Sequence, residues 1–153
     1  MKLKHKFLLV YCHFIMCVTF IIPDFPLSMR FRGWLYSIFM KSCGRNFQVA
    51  HGACLRGIEL ISAGDDCYIG PSVFIMARSG IVIDDEAIIA MNVVIVDSNH
   101  GKVDDSYRYA RGKTKPIYIG KGSWVAANSV ITAGSLVKGG SIVPPCTVVR
   151  ENF

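Results

Sequence analysis

The sequence predicts a mainly β protein: a parallel β-helix built from six-residue repeats and preceded by an N-terminal helical segment. Aliphatic residues recur every six positions, and a small hydroxylated residue follows each of the first five of them after four positions. Gly or Asn stands three positions after most of them. A period of six fits neither a helix nor a flat strand, whereas one hexad suits one face of a β-helical coil. The anchors of this clearest stretch are Ile119, Val125, Ile131, Val137, Val143 and Val149.

The chain opens with an apolar run, residues 7–22, which three lysines precede. Its sixteen residues fall slightly short of the roughly twenty that span a bilayer. A cleaved signal peptide is disfavoured because residues 21–26 contain no small-residue cleavage site. A spanning helix is disfavoured by the basic residues downstream, Arg30, Arg32 and Lys41. The preferred interpretation is a helix or helical hairpin that lies in the cytoplasmic membrane interface.

A second amphipathic helix is predicted over residues 27–41, where the apolar residues share one face at helical spacing. This helix can cap the open end of the β-helix, since an uncapped coil presents an exposed sheet edge. It can also contact a membrane, and the two roles are compatible. The residues of the predicted apolar face are Leu27, Phe31, Trp34, Leu35, Ile38 and Phe39.

The positive charge is concentrated at the N-terminus. The formal net charge is +6, and residues 1–50 carry seven Lys or Arg against one acid, Asp24, so the remainder of the chain is neutral. Because these cations flank apolar segments, the pattern disfavours a nucleic-acid partner and favours an anionic membrane surface. The six cysteines form no CxxC pair and are interpreted as reduced thiols.

The hexads begin at Cys43, so we divide the chain into residues 1–42, which anchor and cap, and a repeat domain over 43–153. Two extra residues are absorbed at each of the first two joins between coils, next to the misfits Ile58 and Arg78. Turn-forming residues recur three positions after an anchor, at Asn46, Gly52, Asp66, Ser72 and Asn92. The anchors here are Cys43, Val49, Leu55, Ala63, Ile69, Ile75, Ile83, Ile89 and Ile95.

The six-residue spacing is interrupted once. From Ile95 to Ile119 there are 24 residues where one hexad needs six, so an excess of eighteen residues, roughly within 97–116, must leave the coil as a loop. Loops of that length in a compact domain are usually functional. This loop begins with Asp97-Ser98-Asn99-His100-Gly101.

From about Cys43 to Val149 the sequence resembles the hexapeptide-repeat acyltransferases, in particular the branch of sugar and polysaccharide O-acetyltransferases related to maltose and galactoside acetyltransferases. Three features carry the resemblance: Asn99-His100 opening the loop, the returning stretch 116–120, and the stretch 121–128 that contains Trp124. The resemblance implies a left-handed β-helix, a homotrimer with active sites between subunits, acetyl-CoA as co-substrate and no metal.

Roles for individual residues are suggested partly by the resemblance and partly by the polar and basic residues of the loop itself. His100 is the expected general base, since its ordinary pKa lies near neutrality, and Asp97 or Asn99 is a candidate for orienting its ring. The expected coenzyme-side residues are Trp124, Ala126, Ala127, Pro144, Pro145 and Arg150. The expected acceptor-side residues are Ser72, Asn92, Arg108 and Arg111, although Ser72 replaces the asparagine that the family places there.

The predicted function is therefore direct O-acetylation of a sugar hydroxyl in a cell-surface polysaccharide precursor, such as an O-antigen or capsule unit. The acceptor is a free or lipid-linked saccharide, and the predicted location is the cytoplasmic face of the bacterial inner membrane, with a soluble cytoplasmic enzyme as the alternative. A non-catalytic membrane-associated scaffold and an acyltransferase for a small non-sugar acceptor stay open. A γ-carbonic-anhydrase-like zinc site is disfavoured, because it needs three histidines and the repeat domain has only His51 and His100.

Overall fold

The computed structural model describes residues 3–150, which form two helices followed by five β-helical coils. The helices are α1 (Leu3–Thr19) and α2 (Pro26–Ser37), and a single 3₁₀ turn spans Ile58–Leu60. In chain order the strands are β1 (Ser42–Cys43), β2 (Gln48–Val49), β3 (Cys54–Arg56), β4 (Ile61–Ala63), β5 (Tyr68–Ile69), β6 (Phe74–Met76), β7 (Ile81–Ile83), β8 (Ile88–Ile89), β9 (Val94–Val96), β10 (Ser98–Asn99), β11 (Lys113–Thr114), β12 (Ile117–Ile119), β13 (Trp124–Val125), β14 (Val130–Ile131), β15 (Leu136–Val137), β16 (Ile142–Val143) and β17 (Val148–Val149).

Each coil contributes one strand to each of three parallel sheets, which form the sides of a prism. Sheet A contains β1, β4, β7, β12 and β15, sheet B contains β2, β5, β8, β13 and β16, and sheet C contains β3, β6, β9, β14 and β17. The predicted anchors stack in register, as in the series Ala63, Ile83, Ile119 and Val137. The parallel β-helix predicted from the hexads is confirmed.

The hexad positions divide between the core and the corners of the prism. All of the predicted anchors are buried except Cys43, which is half-buried. The predicted turn-formers adopt positive φ at the corners, where the chain passes from one sheet to the next. Glu86 and Cys146 do so as well, with φ of 59° and 57°. Their side chains gave no indication of this conformation, which Gly and Asn adopt more readily.

The insertions between coils all fall at the C–A corner, where sheet C gives way to sheet A. The first is the 3₁₀ turn, whose Ile58 is fully buried, and the second is the segment Arg78–Gly80. The third is the loop 97–116, which leaves after β9 and returns at β12. The sheets therefore stay regular while one corner accommodates every extra residue.

The helices cover the open edge of the first coil. α1 packs against β3 through a face formed by Leu8, Cys12, Ile15 and Thr19, and α2 packs against β2. Burial raises the pKa of the Cys12 thiol to about 12, and all six cysteines are free thiols. Neither helix, among the residues described, is long and apolar enough to cross a membrane.

Of the predicted apolar residues only Leu35 and Phe39, both half-buried, pack against the core, and α2 turns mainly a different face toward the coil. Its buried residues are Ser28, Arg32, Gly33 and Tyr36, whereas Leu27, Phe31, Trp34 and Ile38 are exposed. The physical reason is that the first coil presents unpaired main-chain carbonyls, which need donors. Arg32 donates to Val49 O at 3.4 Å and Tyr36 to Ala53 O at 3.4 Å, and Gly33 lets the helix approach Phe47 O.

Candidate active site

Asp97 anchors the loop at its starting point. Its side chain is fully buried directly after β9. The carboxylate accepts hydrogen bonds from the backbone N–H groups of Arg78, Ser79 and Gly80 at 2.8, 2.6 and 2.8 Å, and from the Ser79 hydroxyl at 3.0 Å. Several donors aimed at one carboxylate compensate for its burial. Asp97 therefore ties the start of the loop to the insertion of the preceding coil.

The two sides of the loop lie close together near this anchor. β10 and β11 form an antiparallel pair, with Asn99 opposite Lys113, and Lys115 donates from its main chain to Asp97 O at 3.0 Å. Gly101 has to be glycine for this approach, because a Cβ there would collide with the Arg111 carbonyl. The loop thus leaves and rejoins the coil at one point, and His100 lies next to that point.

His100 is exposed and lines a cleft of about 340 Å³ at the C–A corner. Met76 and Val96 form apolar parts of the wall, and Arg78 and Arg108 add two guanidinium groups. Among residues 3–150 the imidazole makes no hydrogen bond, so both ring nitrogens are free to meet a substrate.

Neither of the residues predicted to orient His100 bonds to its ring within the described chain. The Asp97 carboxylate is occupied by residues 78–80, and Asn99 contributes main-chain pairing with Lys113. Asp97 thus positions the backbone that carries His100 and leaves its ring without a carboxylate partner. This corrects the expectation of a carboxylate–imidazole pair.

The cleft carries positive charge. The Arg108 guanidinium lies 5.6 Å from the centre of the Tyr109 ring, and Arg111, on the same loop, is exposed. Arg78 was not among the predicted site residues, although its position as a misfit in the hexads marked the corner that it occupies. Two arginines beside an imidazole suit a substrate that carries an anionic group.

The predicted coenzyme-side residues gather mainly at the B–C corner in the fourth and fifth coils. Trp124 is half-exposed on sheet B, Ala126 is buried and Ala127 is half-buried. Pro144 and Pro145 stand exposed at the same corner one coil later, where Ser129 Oγ donates to Pro144 O at 2.8 Å. Arg150 lies apart from them, because it follows β17 at the C–A corner of the last coil.

Two of the predicted acceptor-side residues also occupy the B–C corner. Ser72 and Asn92 have φ of 55° and 58°, and their N–H groups donate to His51 O and Pro71 O at 3.2 and 3.0 Å. They form the turns of successive coils and lie at the other edge of sheet C from His100. One chain therefore places His100 with Arg108 at one corner and Trp124 with Ala127 at another, and does not bring the two groups together.

Comparisons with known proteins agree with this architecture. The family model described as the hexapeptide repeat of succinyl-transferase matches residues 61–96. A hexapeptide-repeat acetyltransferase from Vibrio cholerae O1 biovar eltor, complexed with acetyl coenzyme A, superimposes with a TM-score of 0.79 at 18% identity, over 99% of this chain and 81% of that one. This chain has the fold of the hexapeptide-repeat acetyltransferases. The predicted resemblance is thus confirmed for the repeat and for the fold.

Other acetyltransferases with this fold are similar. A galactoside acetyltransferase in complex with coenzyme A gives a TM-score of 0.70 at 19% identity, over 97% of this chain and 78% of that one. A maltose O-acetyltransferase from Clostridium difficile 630 gives 0.61 at 16% identity, over 98% and 88%. No curated protein sequence matches the chain. Within residues 3–150, no three His, Cys, Asp or Glu side chains converge as a metal site.

Proposed function

We propose that this protein is an acetyl-CoA-dependent O-acetyltransferase that acts on a sugar hydroxyl, with His100 as its general base. The observation that carries the proposal is the free imidazole in a cleft at the one large break in the coils, on a backbone held by Asp97. The coenzyme complexes of proteins with the same fold support acetyl-CoA as the donor.

The residues supply what direct acyl transfer requires. A sugar hydroxyl is barely ionised at neutral pH, so its attack on a thioester is slow without a base. His100 accepts the hydroxyl proton as the new C–O bond forms. When the C–S bond breaks, the imidazolium returns that proton to the departing CoA thiolate. No covalent enzyme intermediate is needed, because the coenzyme already carries the activated acetyl group.

The complete site is proposed to lie between subunits of a homotrimer. His100 and the coenzyme-side residues occupy different corners of one prism, so a neighbouring chain has to bring its B–C corner to the His100 cleft. Exposed apolar side chains continue along sheet B from Ile88 through Trp124 to Ile142. A continuous apolar row on the outside of a sheet is typical of a surface that another protein covers.

The acceptor is proposed to be a cell-surface polysaccharide precursor of the O-antigen or capsule type. The arginines beside His100 suit a saccharide with an acidic or phosphate group. Similar folds occur in acetyltransferases named for galactoside and maltose, and in a Bacillus cereus N-acyltransferase in complex with dTDP and coenzyme A (TM-score 0.52, 18% identity, over 73% of this chain and 77% of that one). These likenesses support a sugar acceptor.

The experiment is release of CoA thiol from acetyl-CoA with a panel of nucleotide sugars, free sugars and lipid-linked oligosaccharides. With the correct acceptor, His100→Ala should slow transfer by roughly 10²–10⁴-fold, the usual contribution of a general base. His51→Ala is the matched control, because His51 lies in the first coil beside Phe20. Full transfer by His100→Ala contradicts the role of His100, and no thiol release with any acceptor favours a scaffold.

A further inference from the structure

The outward side of the helical cap is an unpartnered apolar surface. Two stripes form it, one on each helix, and their residues are between 46% and 83% exposed. We call this surface the cap surface. It consists of Leu3, Phe7, Val10, Phe14 and Val18 on α1, of Leu27, Phe31 and Trp34 on α2, and of Ile38 directly after α2.

The two helices hold these stripes side by side. The Tyr11 and Phe39 rings pack edge to face with centres 4.9 Å apart, Phe7 and Phe39 do so at 6.0 Å, and the Tyr11 hydroxyl donates to Leu35 O at 2.7 Å. Each stripe lies away from the face that its helix packs against the first coil. The stripes therefore present one surface on the outside of the cap.

The cap surface is not needed to close the coil. Arg32 is 3% exposed and donates a hydrogen bond to the Val49 carbonyl at the edge of the first coil. Its guanidinium also donates to the Asp24 carboxylate at 2.6 Å and to Ile22 O. A helix that buries one of its two arginines and exposes its tryptophan has the reverse of the pattern expected for a protein surface in water. The outward apolar stripe therefore indicates a ligand beyond the coil.

The charged side chains on the two helices are all basic. With 100° between successive helical residues, Lys4 and Lys6 lie on either side of the α1 stripe. Arg30 is exposed on α2, where its Nε also donates to Asn46 Oδ1 at 2.6 Å, and Lys41 is exposed shortly after the helix ends. Neither helix contains an acidic residue. The surface thus combines large apolar side chains with cations, and the exposed Asp24 between the helices is paired with Arg32 at 2.6 Å.

We propose that the cap surface binds an anionic lipid bilayer, with both helices lying in the plane of the interface. Aromatic and aliphatic side chains enter the boundary between headgroups and acyl chains, and the flanking cations contact anionic headgroups. This binding follows from α1 and α2 alone and does not depend on acyl transfer by His100.

The orientation has a consequence for the acceptor, which rests on the proposed function. The loop leaves the third coil, about 10 Å beyond the first at the usual strand separation. With the helix layer adding roughly 10 Å, a prism standing on its cap would hold the His100 cleft about 20 Å from the membrane interface. That position suits a saccharide attached to a lipid carrier.

Vesicle flotation with the full chain tests lipid binding directly. The protein should float with vesicles of phosphatidylglycerol and phosphatidylcholine and much less with pure phosphatidylcholine. Arg30→Gln and Lys41→Gln should each weaken binding to the anionic vesicles by about fivefold at low salt, the usual effect of one cation near such a surface. Lys138→Gln, which removes an exposed cation from the fifth coil, should leave it unchanged.

The apolar contribution is tested with Phe31→Ser/Trp34→Ser, which should lose flotation while retaining the native melting temperature. Val103→Ser, which removes an exposed apolar side chain from the loop, should leave flotation with anionic vesicles unchanged. The chain has two tryptophans, Trp34 and Trp124. In Trp124→Phe the emission of Trp34 should shift to shorter wavelength with anionic vesicles, and in Trp34→Phe the emission of Trp124 should not.

Three results would overturn the proposal. One is absence of flotation with anionic vesicles, and another is equal binding to both vesicle types. The third is concentration-dependent self-association without lipid that Phe31→Ser/Trp34→Ser abolishes, since it would make the cap surface an interface between copies. Each is measured without acetyl-CoA, so failure here is distinguishable from failure of the proposed acyl transfer.

Discussion

The two corners at the edges of sheet C are built differently. At the B–C corner Gly52, Ser72, Asn92, Asn128 and Cys146 repeat the same positive-φ turn in all five coils. At the C–A corner the coils carry insertions, and the longest of them holds His100. In the proposed function, the first corner contributes to the wall of the coenzyme site and the second supplies the base and the neighbouring charges.

This difference indicates that regular turns and functional insertions occupy separate corners of the prism. A repeated turn stacks main chain on main chain and requires positive φ, which few residue types adopt readily. A corner that tolerates insertions can add donors and charges without disturbing the buried anchors. Because the two corners are separated by sheet C, an active site that needs both has to use two chains.

Asp97→Asn removes the carboxylate that holds the C–A corner together, and it should have the largest effect on stability. The amide replaces one acceptor oxygen with a donor that faces the N–H groups of residues 78–80, so buried donors lose their partner. We expect a loss of about 1–3 kcal/mol in unfolding free energy, measured by urea denaturation. Transfer should fall as well, because the backbone of His100 loses its anchor.

The control for that variant is Asp104→Asn, an exposed acid at the tip of the same loop. Its stability should match that of the wild type. If Asp97→Asn were equally stable and equally active, the anchoring role of the carboxylate would be refuted.

Arg78→Gln tests whether the C–A corner recognises a charged acceptor, because it removes one positive charge from the His100 cleft and keeps a side chain of similar length. A lost charge-assisted contact should raise KM for an anionic acceptor by about tenfold, with little change in kcat. Steady-state kinetics with a charged and a neutral acceptor measure this. Arg45→Gln, at the A–B corner, is the control, and an equal rise in KM for the neutral acceptor would argue against charge recognition.

The smallest effect is expected for Tyr118→Phe, which changes an exposed side chain on the outside of sheet A. The Tyr118 hydroxyl donates to Asp84 Oδ2 at 2.7 Å, and this bond lowers the pKa of the Asp84 carboxyl. A lowered pKa in the folded state contributes stability above the carboxyl's ordinary range, near pH 4, and loses it as the pH falls below that range. Water screens this exposed pair, so the difference at pH 7 should stay below about 1 kcal/mol.

Thermal melts of wild type and Tyr118→Phe between pH 7 and pH 2.5 test this. The two should converge as the pH falls, with transfer activity at pH 7 unchanged. A difference that grows toward low pH would have the wrong sign for a lowered carboxyl pKa.

Much of the fold follows from the sequence because the hexad is a local rule. In each hexad the aliphatic residue occupies the buried position. Residues such as Asn46 and Gly122 tolerate the positive φ that a corner requires. The eighteen-residue excess could be located by counting, since the anchors on both sides stay in register. The positive φ of Glu86 and Cys146 could not be predicted from their residue types, because stacking between coils imposes this conformation against their local preference.

Contacts between distant segments could not be read in this way. Asp97 stood beside His100 in sequence, but its carboxylate turns to residues 78–80 of another coil. The apolar face of α2 suggested a cap formed by hydrophobic packing. Because the carbonyl groups at the coil edge need hydrogen-bond donors, Arg32 and Tyr36 face the coil instead. Arg78 joined His100 only through the stacking of the second coil beside the loop.

The most direct test of the central claim, a site shared between corners of two chains, is complementation in mixed trimers. His100→Ala removes the base, and Ala127→Trp fills the wall at the B–C corner; each homotrimer should be inactive while retaining its assembly and melting temperature. After the two variants are unfolded and refolded together, random assembly predicts recovery of about a quarter of wild-type transfer activity, because one site in four pairs an intact His100 with an intact neighbour. Activity no higher than that of the separate variants would contradict the shared site and place the whole reaction within one chain.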